Sequence, residues 1–465
     1  MIAIKDSPHS VIQDSAQANI IREWVENGSV KFIRFEWCDI HGIARSKTVP
    51  ARHFERFASK GLNVPLPTFA LDVQGLTAPN TGYLEEIGFA DSLFFPDINT
   101  FQVLPWVEKT ARVLGDPYVL ADGRPAKAAP RWVVKPLLDK LDSMGYRLLS
   151  GFEYEFYLVD AQTQQPSFPE IRLFAIPHVN DRPIIYNILE SMEAVGVDII
   201  TADLEYAPGQ IEINFAPAWG LDAADQAFTF KNGVKEIAQQ SGRIASFMTK
   251  PDAINAASGC HFNQSLWQGD RNAFVDPDRE HGLSDVALHY LAGQLAHAPA
   301  LLALLAPTIN CWKRYKPDSF APANITWGID NRTTAIRAKV FRDERTYIEN
   351  RLGSGASNPY LVMAAVLAAG IDGIKHKLEP PAPRWGLADR LEDVPQLPTR
   401  LDDALDALEQ DTVIRDALGA EFIKLFVAIK RHEIAKARDA IANYDSAEFF
   451  DQVTDWERQE FFEFL

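Results

Sequence analysis

Residues 151–158 read Gly-Phe-Glu-Tyr-Glu-Phe-Tyr-Leu. On a strand, Glu153 and Glu155 share one face, and Phe152, Tyr154 and Phe156 share the other. Two neighbouring carboxylates repel each other and resist burial. A solvated edge strand would tolerate one such pair, but the pattern recurs. In 210–215, Gln210, Glu212 and Asn214 alternate with Ile211, Ile213 and Phe215. In 259–267, His261, Asn263 and Ser265 share a face, and in 346–352 so do Tyr347, Glu349 and Arg351. Each segment has the length and composition of a strand with one packed face. Placed in one sheet, they crowd Glu153, Glu155, Glu212, His261, Glu349 and Arg351 on one surface. Acids gathered that closely are held neutral or driven apart unless cations sit among them. Oxygen donors with a single His suit the hard ions Mg²⁺ or Mn²⁺, whereas Zn²⁺ usually draws on more His or Cys.

Other elements must hold these strands. Residues 11–28 have the spacing of a short amphipathic helix ending at Gly28. Residues 30–38 alternate as a strand, Asp39-Ile40-His41-Gly42 forms a turn, and residues 44–49 return. By turn chemistry alone, Asp39 and Gly42 are ordinary turn residues. Residues 62–105, punctuated by Pro and Gly, read as loop-rich. Gly115-Asp116-Pro117 and Gly123-Arg124-Pro125 mark a junction, which sets two domains at 1–111 and 112–465. Helices are expected over 131–145, 181–195, 222–247 and 284–305. A Pro-rich surface loop follows over 378–398, then helices over 401–417 and 419–442.

At 465 residues and 47% hydrophobic composition, the chain can bury a large core in two domains. A formal net charge of −17 argues against nucleic acid or an anionic membrane surface as a partner. No basic-apolar leader opens the chain, and the apolar helix candidate at 360–371 is too short to span a bilayer. Cys38, Cys260 and Cys311 show no CxxC spacing and fit free thiols in a reducing cytoplasm. There is no Walker A or GxGxxG pattern, and Gly353-Ser354-Gly355 reads as a turn. Nucleotide binding would therefore rest on cations and arginines rather than on a phosphate loop.

Nearly end to end, the chain resembles the glutamine synthetase family in its bacterial type I layout. The resemblance is carried by the Asp39–Gly42 hairpin turn, GFEYEF (151–156), and Glu205 followed by GQIE (209–212). It continues through SGCHFNQSL (258–266), NCWKRYKP (310–317), NRTTAIR (331–337) and IENR (348–351), with Asn358-Pro359-Tyr360-Leu361 after it. It implies an α+β fold: a small N-terminal β-grasp domain, then a catalytic domain with a curved antiparallel sheet flanked by helices. It also implies a homo-oligomer of stacked rings, commonly a dodecamer, with active sites between subunits.

By residue matching, the resemblance assigns one metal to Glu155, Glu205 and Glu212 and another to Glu153, His261 and Glu349. At least two Mg²⁺ or Mn²⁺ per site and ATP are thus implied. Arg314 would hold the α-carboxylate of L-glutamate, and Arg351 its side chain or phosphate. Arg332 would stabilise the transferring phosphoryl group, while Arg337 and Ser265 would lie at the nucleotide. Asp39 would reach a neighbouring subunit's site to bind and deprotonate the incoming amine. Planar guanidinium donors suit carboxylate and phosphate recognition.

Three departures from the family pattern stand out. Where ammonia-using members carry a Gly-Tyr-Glu-Ala-Pro flap, this chain has Asp318-Ser319-Phe320-Ala321-Pro322. Phe320 cannot take a proton or hold a small cation electrostatically, but offers an apolar face to a substituent. Ala256-Ala257-Ser258-Gly259 replaces Asn-Gly-Ser-Gly, which puts the hold on the glutamate amino group in doubt. The adenylylated Asn-Leu-Tyr is replaced around Gly386-Leu387-Ala388, against regulation at that site. Phe-Ala-Pro with Trp327-Gly328 and Asp330-Asn331-Arg332 resembles the γ-glutamyl-amine ligases. The expected reaction joins glutamate to an organic amine through γ-glutamyl phosphate, and a hydrophobic monoamine suits Phe320. The alternatives are glutamine synthetase proper using ammonia and a non-catalytic structural or regulatory relative.

Overall fold

The computed structural model describes residues 16–169, 173–176 and 182–465. Helix α1 (Ala16–Glu26) is the described part of the helix expected over 11–28; residues 11–15 and residue 181 lie outside the described residues. Strands β1 (Phe32–Cys38) and β2 (Ala44–Pro50) form the expected hairpin around the Asp39 turn. After α2 (Phe54–Lys60), the stretch expected to be loop-rich carries β3 (Leu62–Pro65), β4 (Asp91–Pro96) and β5 (Gln102–Val103). Pro65 and Pro96 end two of these strands, leaving runs too short to show a period in the sequence. β6 (Thr110–Val119) completes a six-stranded sheet of order β2-β1-β6-β4-β3, with β5 also on β6. The domain boundary expected near residue 112 falls inside β6, because that strand extends the N-terminal sheet to Val119.

The second unit begins with α3 (Pro130–Ser143), β7 (Arg147–Asp160), α4 (Arg182–Ala194), β8 (Ile199–Leu204) and β9 (Gln210–Phe215). It continues through β10 (Ala218–Trp219), α5 (Leu221–Gln240), β11 (Arg243–Ser246), β12 (Cys260–Gln268) and β13 (Arg271–Asn272). Next come α6 (Asp285–Ala296), α7 (Ala298–Leu305), β14 (Trp327–Ile329), β15 (Ile336–Lys339), β16 (Tyr347–Asn350) and α8 (Pro359–His376). The C-terminal helices are α9 (Leu401–Gln410), α10 (Thr412–Leu418), α11 (Ala420–Ala440) and α12 (Asp455–Phe461). Their sheet runs β14-β15-β16-β12-β7-β9-β8, with β10 and β11 on β7 and β13 on β12; it is antiparallel except at β14–β15. The architecture is the expected α+β one, a small β unit followed by a curled sheet flanked by helices.

Three expected helices end or break early. Gly242, at φ 67°, releases the chain after α5, and residues 243–246 pair with β7 instead. The run 284–305 bends by 75° between α6 and α7, where Pro299 starts the new helix. The run 401–417 breaks at Asp411, whose carboxylate caps α10 by accepting from Ile414 N–H at 3.0 Å. Among the described residues, no single helix is long and apolar enough to cross a membrane.

The aromatic face of β7 is the packed one. Phe152, Tyr154 and Phe156 are fully buried, with Phe152 against Phe262 of β12 at 4.7 Å and Phe156 against Phe247 at 5.2 Å. That burial turns Glu153 and Glu155 to the opposite face. A buried network joins the two units. Arg131 of α3 donates to Asp225 of α5 at 2.8 Å, to Asp116 of β6 at 3.0 Å and to Asp97 at 2.9 Å. Removing one partner of such a network typically costs about 3–5 kcal/mol.

Candidate active site

Sheet register decides which acids meet. Glu153 on β7 is paired with His261 on β12 and with Asn214 on β9, while Glu155 is paired with Glu212. On the outer strands, Glu349 opposes Arg337, and Asp203 of β8 opposes Glu212. Glu153, His261 and Glu349 have ligand atoms all within 4.8 Å of one another, which assembles one expected ligand set. The other is distributed differently. Glu155 and Glu212 group with His261, and Glu205 groups with Glu212 and Asp203, each within the same 4.8 Å. Asp203 was missed from the sequence. Its signal was spacing: it lies two residues before Glu205, near the end of the short strand β8.

Burial and mutual repulsion raise Glu155, Asp203, Glu205 and Glu212. Burial, then the Glu155 and Glu153 charges, push Glu212 to about 9. Burial, then Glu155, push Glu205 to about 7. Burial also raises Glu155 despite the nearby Arg314, and burial with Glu153 raises Asp203. His261 moves the other way: burial, then Arg351, hold it well below its usual range, so it stays a neutral imidazole. Its Nδ1 faces Glu153 at 3.4 Å and Glu349 at 3.5 Å, and its Nε2 lies 3.5 Å from Arg314. Neutral imidazole is the ligating form.

These residues fit a hard divalent ion. The donor set is carboxylate oxygen with one neutral imidazole. Two amide oxygens, Asn214 Oδ1 and Asn263 Oδ1, are buried without a hydrogen-bond partner among the described residues. Their Nδ2 groups donate to Glu212 at 2.8 Å and to Glu153 at 2.6 Å, which fixes the amides beside the acids. Glu155 is held by Gln210 Nε2 at 2.9 Å and Gly259 N–H at 3.0 Å. A side chain at Gly259 would crowd Arg314 at 3.0 Å and Glu155 at 3.2 Å, so those two would have to shift slightly.

The raised carboxyls would link the binding of a cation to pH. Folding lifts Glu205 and Glu212 above the ordinary 4.5, so their contribution to metal-free stability is full below that value. It is lost as pH rises through about 7 for Glu205 and about 9 for Glu212. A divalent ion favours the ionised forms, so binding releases protons. The rise in melting temperature on adding Mg²⁺ or Mn²⁺ is expected to grow from about pH 6 to about pH 9. Calorimetry in buffers of different ionisation enthalpy checks the proton release; a pH-independent thermal shift would mean that the acids are ionised without the ion.

The arginines ring the acids. Arg337 pairs with Glu349 at 3.0 Å, and Arg351 pairs closely with the other oxygen of that carboxylate. Arg314 donates to the Arg351 carbonyl at 3.2 Å, and Arg351 donates to the Phe320 carbonyl at 3.2 Å. Arg332 is exposed, and its charge is felt at Glu205. Ser265 lies further along β12 on the His261 face and accepts from Trp267 Nε1 at 2.9 Å. Asp39 is in the N-terminal sheet's turn. Its carboxylate accepts from His41 N–H at 2.8 Å, Ile43 N–H at 3.0 Å and Arg45 at 2.8 Å, so within this chain its contacts are those of a turn residue.

Residues 127–449 match the family model for the glutamine synthetase catalytic domain. The chain is 35% identical to lengsin of Homo sapiens over 437 residues, covering 91% of this chain and 84% of that protein. It is 32% identical over 447 residues to the glutamate–isopropylamine ligase of a Pseudomonas species, covering 92% and 97%. With the glutamine synthetase of Methanocaldococcus jannaschii it shares 34% identity over 444 residues, covering 92% and 96%. Among solved structures, a GmaS–ADP complex matches with a TM-score of 0.80 at 32% identity, covering 96% of this chain and 99% of that one. Sheet register, acid cluster and whole-length similarity agree: the chain belongs to the glutamine synthetase family and is an ATP-dependent ligase.

Proposed function

We propose that this ligase joins the γ-carboxylate of L-glutamate to an organic amine through γ-glutamyl phosphate, releasing ADP and phosphate. The observation that carries the reading is Phe320. It stands at the flap position, exposed, where an ammonia-using site needs a carboxylate to hold ammonium and accept its proton. Similarity to the glutamate–isopropylamine ligase and to GmaS supports the same reading.

Glu153, His261 and Glu349 would hold one Mg²⁺ or Mn²⁺, and Glu155, Glu205 and Glu212 another, with Asp203 beside the second set. Bound there, such ions neutralise charge on the nucleotide phosphates and on the glutamyl carboxylate during transfer. Arg314 and Arg351 orient glutamate, so its γ-carboxylate attacks the terminal phosphorus in line. Arg332 offsets the charge that develops there, while Arg337 lies at the nucleotide. The amine nitrogen then attacks the acyl carbon, phosphate leaves, and the nitrogen loses a proton. Phe320 cannot take that proton, which the resemblance assigns to Asp39. Asp39 enters from a neighbouring copy in a ring assembly, as the resemblance implies, and the setting is cytoplasmic.

The test is phosphate release from ATP with glutamate and Mg²⁺ across ammonium, methylamine, isopropylamine, ethanolamine, putrescine, spermine and aniline. Release driven by one organic amine, with little from ammonium, is the expected result. Ammonium outpacing every amine would make the enzyme a glutamine synthetase proper.

A further inference from the structure

Phe320 does not stand alone at the flap. Its ring lies 5.7 Å from the ring of Tyr206, with 38° between the planes. Both rings are half open to solvent, Phe320 at 55% and Tyr206 at 52% exposure, so their contact leaves apolar faces uncovered. Tyr206 directly follows Glu205, and its backbone N–H donates to the Glu205 carboxylate at 3.0 Å. The ring is thereby hinged to an acid of the cluster.

The flap is built to present Phe320. Its φ is 55°, a left-handed conformation that a residue with a bulky side chain rarely adopts. Asp318, two residues earlier, has φ 65°. Local tethers hold this backbone: Arg351 donates to the Phe320 carbonyl, Ser319 Oγ donates to the Arg314 carbonyl at 2.9 Å, and Asp318 is paired with Arg390. Two of those anchors, Arg314 and Arg351, also border the acid cluster. An aromatic side chain forced outward by strained backbone, meeting a second aromatic beside the acids, has the form of a recognition surface.

We propose that Tyr206 and Phe320 form an aromatic clamp on the carbon substituent of the incoming amine, and that Tyr206 is a specificity-determining residue in its own right. The clamp rests on the amine-ligase reading above. The uncovered faces of these two touching rings suit a compact, uncharged alkyl or aryl group. They do not match a substituent that ends in a second ammonium, whose charge would lose hydration against apolar surface.

The experiment compares wild type with Tyr206→Ala, Tyr206→Phe and Phe320→Ala, using isopropylamine, methylamine, putrescine and ammonium as nucleophiles. Tyr206→Ala is expected to lower kcat/KM for isopropylamine about tenfold or more, chiefly through the KM for the amine. The KM values for ATP and glutamate should stay near wild type, and the preference for isopropylamine over methylamine and putrescine should flatten. Tyr206→Phe should retain the preference, because the ring and not the hydroxyl makes the contact. Mn²⁺ affinity, measured by calorimetry for each variant, separates loss of the clamp from disturbance of Glu205. Wild type that turns over ammonium alone would overturn both the amine-ligase reading and the clamp. Wild type that uses organic amines, with Tyr206→Ala leaving their ranking unchanged or lowering all nucleophiles equally, would overturn the clamp alone.

Discussion

Glu349→Gln is expected to reduce amine-dependent phosphate release by roughly 10²–10³-fold while leaving the protein folded, the loss typical of removing one preorganised electrostatic contact. Glu349 is nearly fully buried at the centre of the site. It closes a ligand group with Glu153 and His261 and takes a guanidinium on each carboxylate oxygen, Arg337 on one and Arg351 on the other. Glutamine keeps the shape and one acceptor oxygen but loses the charge that an ion needs. Alanine is a poorer test, because it leaves two guanidinium groups without their acceptor. Stranding a buried charge of that kind typically costs about 3–5 kcal/mol of stability. Melting temperature and Mn²⁺ affinity should therefore accompany the activity assay. Near-wild-type turnover by Glu349→Gln would remove this residue from the metal set.

Phe320→Glu is expected to move nucleophile preference toward ammonium by about tenfold or more, a shift worth ~1.4 kcal/mol. The substitution puts a carboxylate where the flap meets Tyr206 and removes one ring face. An ammonium ion gains a charge partner and an acceptor for its proton, while a substituted amine loses apolar contact. The residue sits at φ 55°, which glutamate tolerates no better than phenylalanine, so the tether from Arg351 to the residue 320 carbonyl must hold the backbone there as it does in wild type. The measurement is the ratio of kcat/KM for ammonium to that for the best organic amine. An unchanged ratio would show that nucleophile choice is set elsewhere.

Much of the site was legible because strands alternate. Phe152, Tyr154 and Phe156 went into the core, and Glu153 and Glu155 were left facing the other strands. Oxygen donors with a single His suit a hard divalent cation, and the fold brings those donors together. Shorter and less periodic elements were harder to read. Strands of the N-terminal sheet hid in the Pro- and Gly-rich stretch 62–105, and β8 gave too little pattern to bring Asp203 into the ligand set. Continuous helices were expected where Pro299 and Asp411 start new ones, because an apolar pattern can run on across a break that one residue imposes.

By itself the sequence determined side-chain partition and donor chemistry, since both depend on residue type and on neighbours two or four positions away. Which acids meet was decided by strand pairing across long separations: Glu153 opposite His261, Glu155 opposite Glu212, and Asp203 brought against Glu212. Only the tertiary structure carried β6 across the expected domain boundary and set Phe320 against Tyr206. Register and loop direction are minima of the whole packed core and its long-range hydrogen bonds. The local sequence around Tyr206 or Phe320 carries no term for the ring it will meet.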